Sequence, residues 1–233
     1  MVDFHSHVLP GMDDGSADVG ESSALLTELS HQNIDTVAAT PHFIAGRESV
    51  DRFLRRREES FLQLKSADIG SFPELRLGAE TEFYDGISRL DELTRLCIEG
   101  TDILLLEMPN VKWSGCTVRE LYELVSSGTM TVMLAHVERC LFMQDNEVVD
   151  NLLHSGVIMQ SNASFFINRF TRRKALGLLN NNIIHVLGSD CHNVTARPPR
   201  LGQALEVIQR RLGESAVRRL NDTCSRLLHT EKA

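Results

Sequence analysis

Histidine and acidic residues are concentrated at the start of this chain, in the stretch MVDFHSHVLPGMDDGS. His5 and His7 are separated by one residue, and Asp13 and Asp14 follow shortly after them. Imidazole and carboxylate groups at such close spacing suit Zn, Mn or Fe, whereas Ca and Mg alone would be served by oxygen ligands. This stretch therefore predicts part of a metal site.

Short apolar runs rich in Val, Ile and Leu alternate with longer amphipathic stretches along the whole chain. This alternation is typical of β-strands and α-helices that form a parallel sheet. The predicted strands lie near Val2–Phe4, Thr36–Ala39, Leu75–Ala79, Ile103–Leu106, Thr131–Ala135, Val157–Gln160 and Ile184–Leu187. The predicted helices cover Gly20–His31, Val50–Lys65, Ile87–Cys97, Val118–Val125, Val148–His154, Arg169–Leu179, Leu201–Leu212 and Ala216–His229.

No Gly/Ser-rich linker or low-complexity block interrupts these repeats, so we expect a single domain over residues 1–233. Repeated βα units of this kind predict an α/β fold whose parallel strands close, or nearly close, into a barrel. An open, doubly wound sheet is the alternative. In both folds, functional residues collect at the carboxyl ends of the strands.

Most of the predicted strands are followed at once by a histidine or an acidic residue. These residues are His5 and His7 after the first strand, His42 after the second, Glu80 after the third, Glu107 after the fourth, His136 after the fifth, and Asp190 with His192 after the seventh. The carboxyl ends of barrel strands share one rim, which the βα loops surround. We therefore expect these side chains to point towards one another.

Addition of Asp14 gives nine candidate ligands, which is more than one ion can bind. Such a set fits a cluster of about two or three ions that share a bridging carboxylate. Four carboxylates against three divalent ions would leave about two positive charges, and a phosphate group would be attracted there. Arg139 and Arg197 lie on loops of the same rim and could each bind phosphate oxygens through two N–H groups.

The composition narrows the function classes. A formal net charge of −8 argues against general binding to nucleic acid or to an anionic membrane. The five cysteines have no CxxC spacing, which indicates neither a disulfide framework nor a zinc knuckle. No run approaches the roughly 18 apolar residues of a membrane span, and no signal peptide precedes His5. We therefore expect a soluble, cytoplasmic protein.

Some neighbouring residues have a structural explanation that competes with a functional one. Asp13 and Asp14 stand in an Asp-Asp-Gly sequence that also favours a turn, and either could be the ligand. Asp3 lies within the first predicted strand, where a structural role is expected. Trp113 could border the substrate site or pack in the core. No function is assigned to the histidines inside helix or strand patterns, which are His31, His154, His185 and His229.

The ordered set of motifs resembles the PHP (polymerase and histidinol phosphatase) superfamily. The resemblance is closest to its bacterial manganese-dependent tyrosine-protein phosphatases from capsule and exopolysaccharide clusters. The matching motifs are DFHSHVLPGMDDG at the start, TPHF at 40–43, GAE at 78–80, LLLE at 104–107, AHVER at 135–139 and SDCHNVTARPP at 189–199. HxH alone is a weak signal, but the complete ordered set is specific and spans the whole chain.

The resemblance implies a distorted (β/α)7 barrel, similar to a TIM barrel, with three divalent ions at the carboxyl edge of the strands. Manganese is the expected metal, with iron or zinc as alternatives. The first ion would be bound by His5, His7, Glu80 and Asp190, and the third by Asp14, His42 and His192. Glu80 would bridge to the second ion, bound by Glu107 and His136. Arg139 and Arg197 match phosphate-binding arginines. Separately from the resemblance, either Asp14 or a neighbouring metal-bound histidine could carry a proton, and the sequence leaves the choice open.

The expected activity is metal-assisted hydrolysis of phosphotyrosine in a protein, with a bacterial tyrosine autokinase that regulates capsular or exopolysaccharide synthesis as the partner. A small-molecule phosphatase, for example of histidinol phosphate, is an alternative that the same metal site would serve. A noncatalytic, metal-dependent phosphotyrosine binder is another. Oligomerisation is compatible with the sequence, whereas nucleic acid as a partner and membrane insertion are not expected.

A cysteine-dependent phosphatase is a rival mechanism, because Cys191 and Arg197 form the spacing C-x5-R. The intervening loop HNVTA has no glycine to let backbone amides close around an anion. Two prolines follow where a helix would have to present free N–H groups. The sequence therefore disfavours a thiolate nucleophile at Cys191.

The segment after His42, FIAGRESVDRF, does not match a motif of the family, and its substrate contacts are unassigned. It leads into a cluster of four arginines, Arg52, Arg55, Arg56 and Arg57. We expect this cluster to be a solvated helix face, with steering of a phosphopeptide as the alternative.

Overall fold

A computed structural model of the chain describes residues 1–67 and 72–229. The strands are β1 Val2–Ser6, β2 Thr36–Ala39, β3 His42–Phe43, β4 Glu74–Leu77, β5 Glu80–Glu82, β6 Ile103–Glu107, β7 Thr131–Leu134, β8 Ile158–Asn162 and β9 Val186–Gly188. The helices are α1 Val19–His31, α2 Val50–Ser66, α3 Gly115–Ser126, α4 Asn146–His154, α5 Ala163–Ile167, α6 Arg172–Asn180, α7 Leu201–Leu212 and α8 Glu214–Leu228. Short 3-10 turns cover Ile87–Arg89, Leu93–Leu96, Val137–Arg139 and Leu141–Met143.

The predicted helix Ile87–Cys97 is wrong, because this segment forms two short 3-10 turns separated at Leu90. The backbone at Leu90 is extended, with φ −84° and ψ 103°, so the first turn ends there and does not continue as a helix. Helix α6 begins three residues later than predicted, and the short helix α5 was not predicted.

Every strand pairing is parallel, and the pairings form one three-stranded and one six-stranded sheet. The order of the first is β1-β2-β4, and that of the second is β3-β5-β6-β7-β8-β9. Only Thr40 and Pro41 separate β2 from β3, and only Gly78 and Ala79 separate β4 from β5. The sheets therefore follow one another as a single curled parallel sheet.

Hydrogen bonds also connect β1 to the segment after β9. Ser6 and Cys191 form an isolated parallel bridge, and the backbone N–H of Asp190 donates to the carbonyl of His5 over 2.8 Å. The N–H of His7 donates to the carbonyl of Cys191 over 3.0 Å. These bonds bring the amino-terminal histidines next to the last motif of the chain.

Apolar side chains cover both faces of the curled sheet. In β6, Ile103 and Leu105 belong to one buried cluster, whereas Leu104 and Leu106 belong to the other. Alternate residues of a strand point to opposite faces, so burial on both faces requires the continuous apolar run ILLL. The polar residue that ends this run, Glu107, lies at the carboxyl edge of the sheet.

Helices surround the sheet, and several begin with side-chain caps that the sequence specifies. Asp18 accepts from the N–H of Glu21 at the start of α1, and Ser114 accepts from the N–H of Thr117 at the start of α3. Within the described ranges, no helix has both the length and the apolar character needed to cross a bilayer.

Candidate metal centre

All nine predicted ligands converge at the carboxyl edge of the curled sheet. Their ligand atoms form four overlapping groups, and within each group the atoms lie within 4.8 Å of one another. The groups are His7 with Asp14, His42 and His192; His5 with His7 and Asp190; His5 with Glu80 and His136; and His42 with Glu80 and Glu107. Each group has the composition of a site for a transition metal or zinc.

Glu80, at the start of β5, lies at the centre of this cluster and is 1% exposed. Its Oε2 lies 3.1 Å from Nε2 of His5 and 3.2 Å from Nε2 of His7. Nδ1 of His42 lies 3.1 Å from the same oxygen. The other oxygen, Oε1, lies 2.8 Å from Nε2 of His136. Four imidazoles from three parts of the chain therefore converge on one carboxylate.

Hydrogen bonds at the outer nitrogen fix the orientation of three of the imidazoles. Nδ1 of His7 lies 2.7 Å from Oδ2 of Asp13, and Nδ1 of His5 lies 3.2 Å from Oε1 of Gln160. Nδ1 of His192 lies 3.1 Å from the carbonyl oxygen of Asp190. A histidine that donates at Nδ1 leaves Nε2 as the unprotonated nitrogen, which is a common arrangement of metal-binding histidines.

The structure separates the roles of the two consecutive aspartates. Asp13 is nearly buried and accepts from His7 and from the backbone N–H groups of Gly15 and His42. Asp14 is 67% exposed, and its Oδ1 lies 3.5 Å from Nε2 of both His42 and His192. Asp14 is therefore the aspartate whose carboxylate joins the cluster, while Asp13 orients His7.

The acidic groups of the cluster control the pKa values of its histidines. Burial alone would lower the pKa of His7, but the carboxylates of Asp13 and Glu80 outweigh it and raise this pKa to about 10. The pKa of His136 rises to about 9, because Glu107 and Glu80 outweigh the effect of burial. Burial opposes ionisation of Glu80, yet His5, His136 and His7 hold its pKa well below its usual value. The cluster thus has a negative potential that favours cations.

Two residues of the cluster adopt a backbone conformation that is unfavourable for side chains other than glycine. His136 has φ 32° and Asp190 has φ 51°. Such conformations cost about 1–3 kcal/mol each, and they persist where the surrounding structure holds them. The N–H of His136 is held by Oε1 of Gln160 at 2.7 Å, and Oδ2 of Asp190 accepts from Nδ2 of Asn162 at 2.7 Å.

Two unsatisfied atoms test whether the cluster fits a metal. Among the described residues, nine buried side-chain polar atoms lack a hydrogen-bond partner, and two of them, Oε2 of Glu80 and Nε2 of His192, belong to the cluster. The imidazole nitrogens near Oε2 lie close to it but not in hydrogen-bond geometry. Buried polar groups are normally paired, and an unpaired one indicates a missing ion or water. The donor set and these two atoms fit divalent metal ions.

Both predicted phosphate-binding arginines lie beside the cluster. Arg139 donates from Nη2 to Oδ2 of Asp190 over 2.7 Å, and Arg197 donates from Nη2 to Oδ1 of the same carboxylate over 2.8 Å. Their side chains are 39% and 41% exposed. Burial opposes ionisation of Asp190, but His5, His7 and Arg197 outweigh it and lower its pKa. Two partly exposed guanidinium groups therefore border the cluster on its solvent side.

Among the seven predicted strands, Val157–Gln160 was the one without a candidate ligand at its end. It is observed as β8 and supplies residues that position the ligands. Gln160 contacts His5 and His136 as described above, and its Nε2 donates to Oδ1 of Asn162 over 3.1 Å. Glu138 accepts from the N–H of Asn162 over 3.1 Å. The sequence signal for these residues is the polar triplet Gln-Ser-Asn at the end of an otherwise apolar strand. It contains no histidine or acidic residue.

Cys191 has the wrong environment for a nucleophile. Its side chain is fully buried, and burial together with the negative charge of Asp3 raises the pKa of the thiol far above its usual value. A nucleophilic cysteine needs an accessible thiolate. The structure therefore opposes the C-x5-R mechanism, as the sequence does.

The remaining candidates divide as follows. Asp3 is buried, and its Oδ1 accepts from the N–H groups of His5 and Ser189, which is a structural role. Trp113 is 6% exposed and its Nε1 donates to the carbonyl of Pro109, so it packs in the core.

The four arginines of α2 do not form one solvated face. Arg57 donates to the carbonyl of Gly78, and Arg56 donates to Glu48 and to the carbonyl of Met12. Arg52 and Arg55 are exposed. Arg52 and Arg56 line a groove of about 560 Å³ that also borders the cluster.

Two known proteins with similar sequences are tyrosine-protein phosphatases. The chain is 27% identical to tyrosine-protein phosphatase CpsB of Streptococcus pneumoniae, over 94% of each chain. It is also 27% identical to tyrosine-protein phosphatase YwqE of Bacillus subtilis, over 99% of this chain and 92% of the relative.

The fold is also known from experiment. A chain from the crystal structures of YwqE and CpsB, described as metal-dependent tyrosine phosphatases, superposes with a TM-score of 0.79. The match has 23% sequence identity and covers 99% of this chain and 95% of the other. The family model for capsular polysaccharide synthesis, CpsB/CapC, matches residues 1–228. The chain therefore belongs to the CpsB/CapC family of capsular polysaccharide synthesis proteins.

Proposed function

We propose that this protein is a metal-dependent protein-tyrosine phosphatase. The observation that carries the proposal is the convergence of nine imidazole and carboxylate ligands beside two partly exposed arginines. Membership of the CpsB/CapC family and the names of the relatives agree with it.

We propose three ion sites, for which Mn²⁺ is the first candidate and Fe or Zn the alternatives. The first would use His5, His7, Glu80 and Asp190. The second would share Glu80 and add Glu107 and His136, and the third would use Asp14, His42 and His192. The ligand groups support part of this division. Asp14, His42 and His192 share one group, and His5, His7 and Asp190 share another. Glu80 belongs to two groups, as a bridging ligand would, but one of these joins it to His42 and Glu107.

When bound, divalent ions at this centre supply a hydrolytic nucleophile at neutral pH and offset the charge of phosphoryl oxygens. The chain's own residues bind and orient the substrate. A guanidinium has five N–H donors, and Arg139 and Arg197 each use only part of theirs on Asp190. The remaining donors would hold phosphoryl oxygens, a task for which paired N–H groups are well suited.

Asp14 is the proposed proton carrier. Its exposed carboxylate lies beside His42 and His192, and Oδ2 lies 3.7 Å from Nη1 of Arg197. An exposed group can exchange protons with solvent. A departing phenolate needs a proton at neutral pH, and Asp14 is the acidic group of the cluster with the largest exposed fraction.

We further propose that the architecture is a distorted (β/α)7 barrel and that residues 1–233 form one domain. Counting β2 with β3 and β4 with β5 as single interrupted strands gives seven, and the bonds between β1 and the segment after β9 would close the ring. Pro41, which has no N–H, lies at one of the interruptions.

The proposed substrate is phosphotyrosine in a protein, with a tyrosine autokinase of the capsule or exopolysaccharide system as the partner. The groove of about 560 Å³ beside the cluster offers room next to the phosphate position for residues that flank a phosphotyrosine. Histidinol phosphate is the competing substrate, and noncatalytic phosphotyrosine binding is the competing role.

Turnover of a phosphotyrosyl peptide and of histidinol phosphate by the manganese-loaded protein separates these candidates. We expect kcat/KM for the peptide to be the higher by about 100-fold, since a peptide can make contacts along the groove in addition to those at the cluster. A preference for histidinol phosphate would contradict the proposed substrate. Peptide binding without phosphate release would indicate a binding module instead of an enzyme.

A further inference from the structure

The groove beside the metal centre has a second wall that the proposed chemistry does not use. Asp14, His42 and Glu107 line its inner end, where they also belong to the cluster. The outer wall is built from the segment after His42 and the first turns of α2. This wall carries Arg47, Glu48, Arg52 and Arg56, and Glu82 faces it from the other side.

The charges of this wall are only partly balanced. Arg56 donates to Glu48 and to the carbonyl of Met12, so this arginine and this glutamate neutralise each other. Arg52 is 68% exposed, and its Nε lies 3.9 Å from Glu48, at the limit of an ion pair. Within the described part of the chain, Arg47 has no acidic partner within 4.0 Å. Two arginines are therefore available for a ligand.

A locally basic wall stands out in a chain with a net charge of −8. An acidic peptide would be repelled by most of the surface and by the carboxylates of Asp13, Asp14, Glu82 and Glu107 in the same groove. The wall that carries Arg47 and Arg52 is the part of the groove that would attract it. Met12 and Ile44, which also line the groove, offer apolar surface next to these charges. Most of the other lining residues are charged, so the groove suits a polar or charged group of a ligand.

On the basis of the proposed function, we propose that Arg47 and Arg52 form a subsite for a carboxylate side chain that flanks the phosphotyrosine of the substrate peptide. The phosphate would lie at the metal centre and the flanking Asp or Glu in the groove. The two arginines would thus determine specificity and would not take part in the chemistry. Their guanidinium groups are suited to carboxylates, which they can bind with two parallel hydrogen bonds.

The test compares two phosphotyrosyl peptides that differ only at the flanking positions, one with Asp and Glu and the other with Asn and Gln. For the wild-type protein we expect a higher kcat/KM for the acidic peptide. Partly exposed ion pairs contribute little, so each arginine should account for at most about a fivefold preference. In the double variant Arg47→Ala/Arg52→Ala the ratio of kcat/KM between the two peptides should fall to about one.

Two matched variants serve as controls. Arg55→Ala removes an exposed arginine of the same helix that does not line the groove. Arg200→Ala removes an arginine from a second groove, which lies next to Arg139. Both should retain the wild-type ratio. Ionic strength near 1 M, where the screening length is about 3 Å, should reduce the preference of the wild type.

A kcat/KM ratio between the two peptides that is unchanged in the double variant would overturn the subsite. Loss of the preference in Arg200→Ala would also overturn it, because the acidic residue of the peptide would then bind in the other groove. Failure of the proposed function gives a different result, in which wild-type protein releases phosphate from neither peptide. The subsite is then judged by the affinities of the two labelled peptides for the manganese-loaded protein, measured by fluorescence anisotropy. We expect the wild-type protein to bind the acidic peptide more tightly than the neutral one, and the double variant to bind both peptides equally.

Discussion

Glu80 connects the parts of the centre more directly than any other side chain described here. One of its oxygens faces nitrogens of His5, His7 and His42, and the other faces His136. A buried carboxylate in this position would carry a large desolvation cost unless cations compensated for it. Its lowered pKa reflects the same compensation by imidazolium groups. We infer that metal ions take over this role when they bind.

The substitution Glu80→Gln tests this inference, because it keeps the shape of the side chain but removes the charge. We expect a lower metal content per chain and a fall in kcat of at least about 100-fold. Metal content is measured by mass spectrometry on purified protein. The matched control is Glu82→Gln, an exposed glutamate on the same strand, which should retain its metals. Full metal loading of the Glu80 variant would contradict the bridging role.

Gln160 should contribute to metal affinity although it is not a ligand. Its Oε1 holds Nδ1 of His5 and the N–H of His136, whose backbone is in an unfavourable conformation. For Gln160→Ala we expect the Kd for Mn²⁺ to rise by about 10- to 100-fold. Gln209→Ala, at an exposed position of α7, is the control. Equal affinities of the two variants would show that Gln160 does not position the ligands.

Metal binding should release protons, because metals bind neutral imidazole. In the metal-free protein the pKa values of His7 and His136 are raised to about 10 and about 9, so both are imidazolium ions, protonated on both ring nitrogens, at neutral pH. The affinity for Mn²⁺ should therefore rise with pH up to these values. Calorimetry in buffers of different ionisation enthalpy measures the protons released, and a binding enthalpy that is the same in all buffers would contradict this.

The raised pKa values of His7 and His136 also predict that the metal-free protein becomes less stable as the pH rises. The raised pKa values mean that the folded state holds these protons more tightly than the unfolded state. The stability that they contribute is fully present below the ordinary histidine value of 6.5 and is lost as the pH rises through about 9 and about 10. Urea unfolding across this range measures the effect.

At the level of elements, the strands were predicted more accurately than the helices. A buried parallel strand must be apolar on both faces, so runs such as ILLL in β6 leave little ambiguity. The segment Ile87–Cys97 has helix-forming residues, and Leu93, Leu96 and Cys97 are buried at helical spacing, yet its backbone is extended at Leu90. Tertiary packing decides the conformation of such a segment, and the sequence pattern alone does not reveal it.

Strand β9 passes so close to β1 and β8 that a side chain at Gly188 would have no room. A Cβ atom there would lie 2.6 Å from Nε2 of Gln160 and 2.6 Å from Cβ of His5. Both neighbours belong to the metal centre or orient it, so this glycine determines how closely the strands that carry the centre can approach.

For Gly188→Ala we expect a loss of about 1–3 kcal/mol in the free energy of unfolding, because the buried neighbours must move. The control is Gly177→Ala, inside α6, where a Cβ atom would meet nothing within 4 Å. This change should stabilise the protein by about 0.4–1 kcal/mol, since alanine restricts the unfolded chain. Urea unfolding measures both, and equal effects would contradict the close approach at Gly188.

The parallel arrangement of the strands explains which residues of the centre could be predicted from the sequence. Eight of the nine candidate ligands come at or near the end of a strand, and parallel strands bring such positions to one edge, so these eight could be proposed from strand order alone. Gln160 and Asn162 were missed because amides are not typical ligands. Asp13 and Asp14 are adjacent in the same turn, so the sequence does not distinguish them. The choice between them required the three-dimensional geometry of the turn.

The charge distribution of the molecule also supports the account as a whole. A chain with a net charge of −8 gathers four carboxylates at one edge and borders them with Arg139 and Arg197. Bound divalent cations would add positive charge to this edge. With them it becomes the place on an acidic surface that attracts phosphate. Binding of the substrate should therefore depend on metal loading.

Phosphate release from a phosphotyrosyl peptide, followed while metal-free protein is titrated with Mn²⁺, tests the central claim most directly. We predict no release in excess chelator, followed by a rise in rate that tracks the number of ions bound and levels off at about three per chain. Full activity in chelator, or ions bound at these residues without any release of phosphate, would contradict the account.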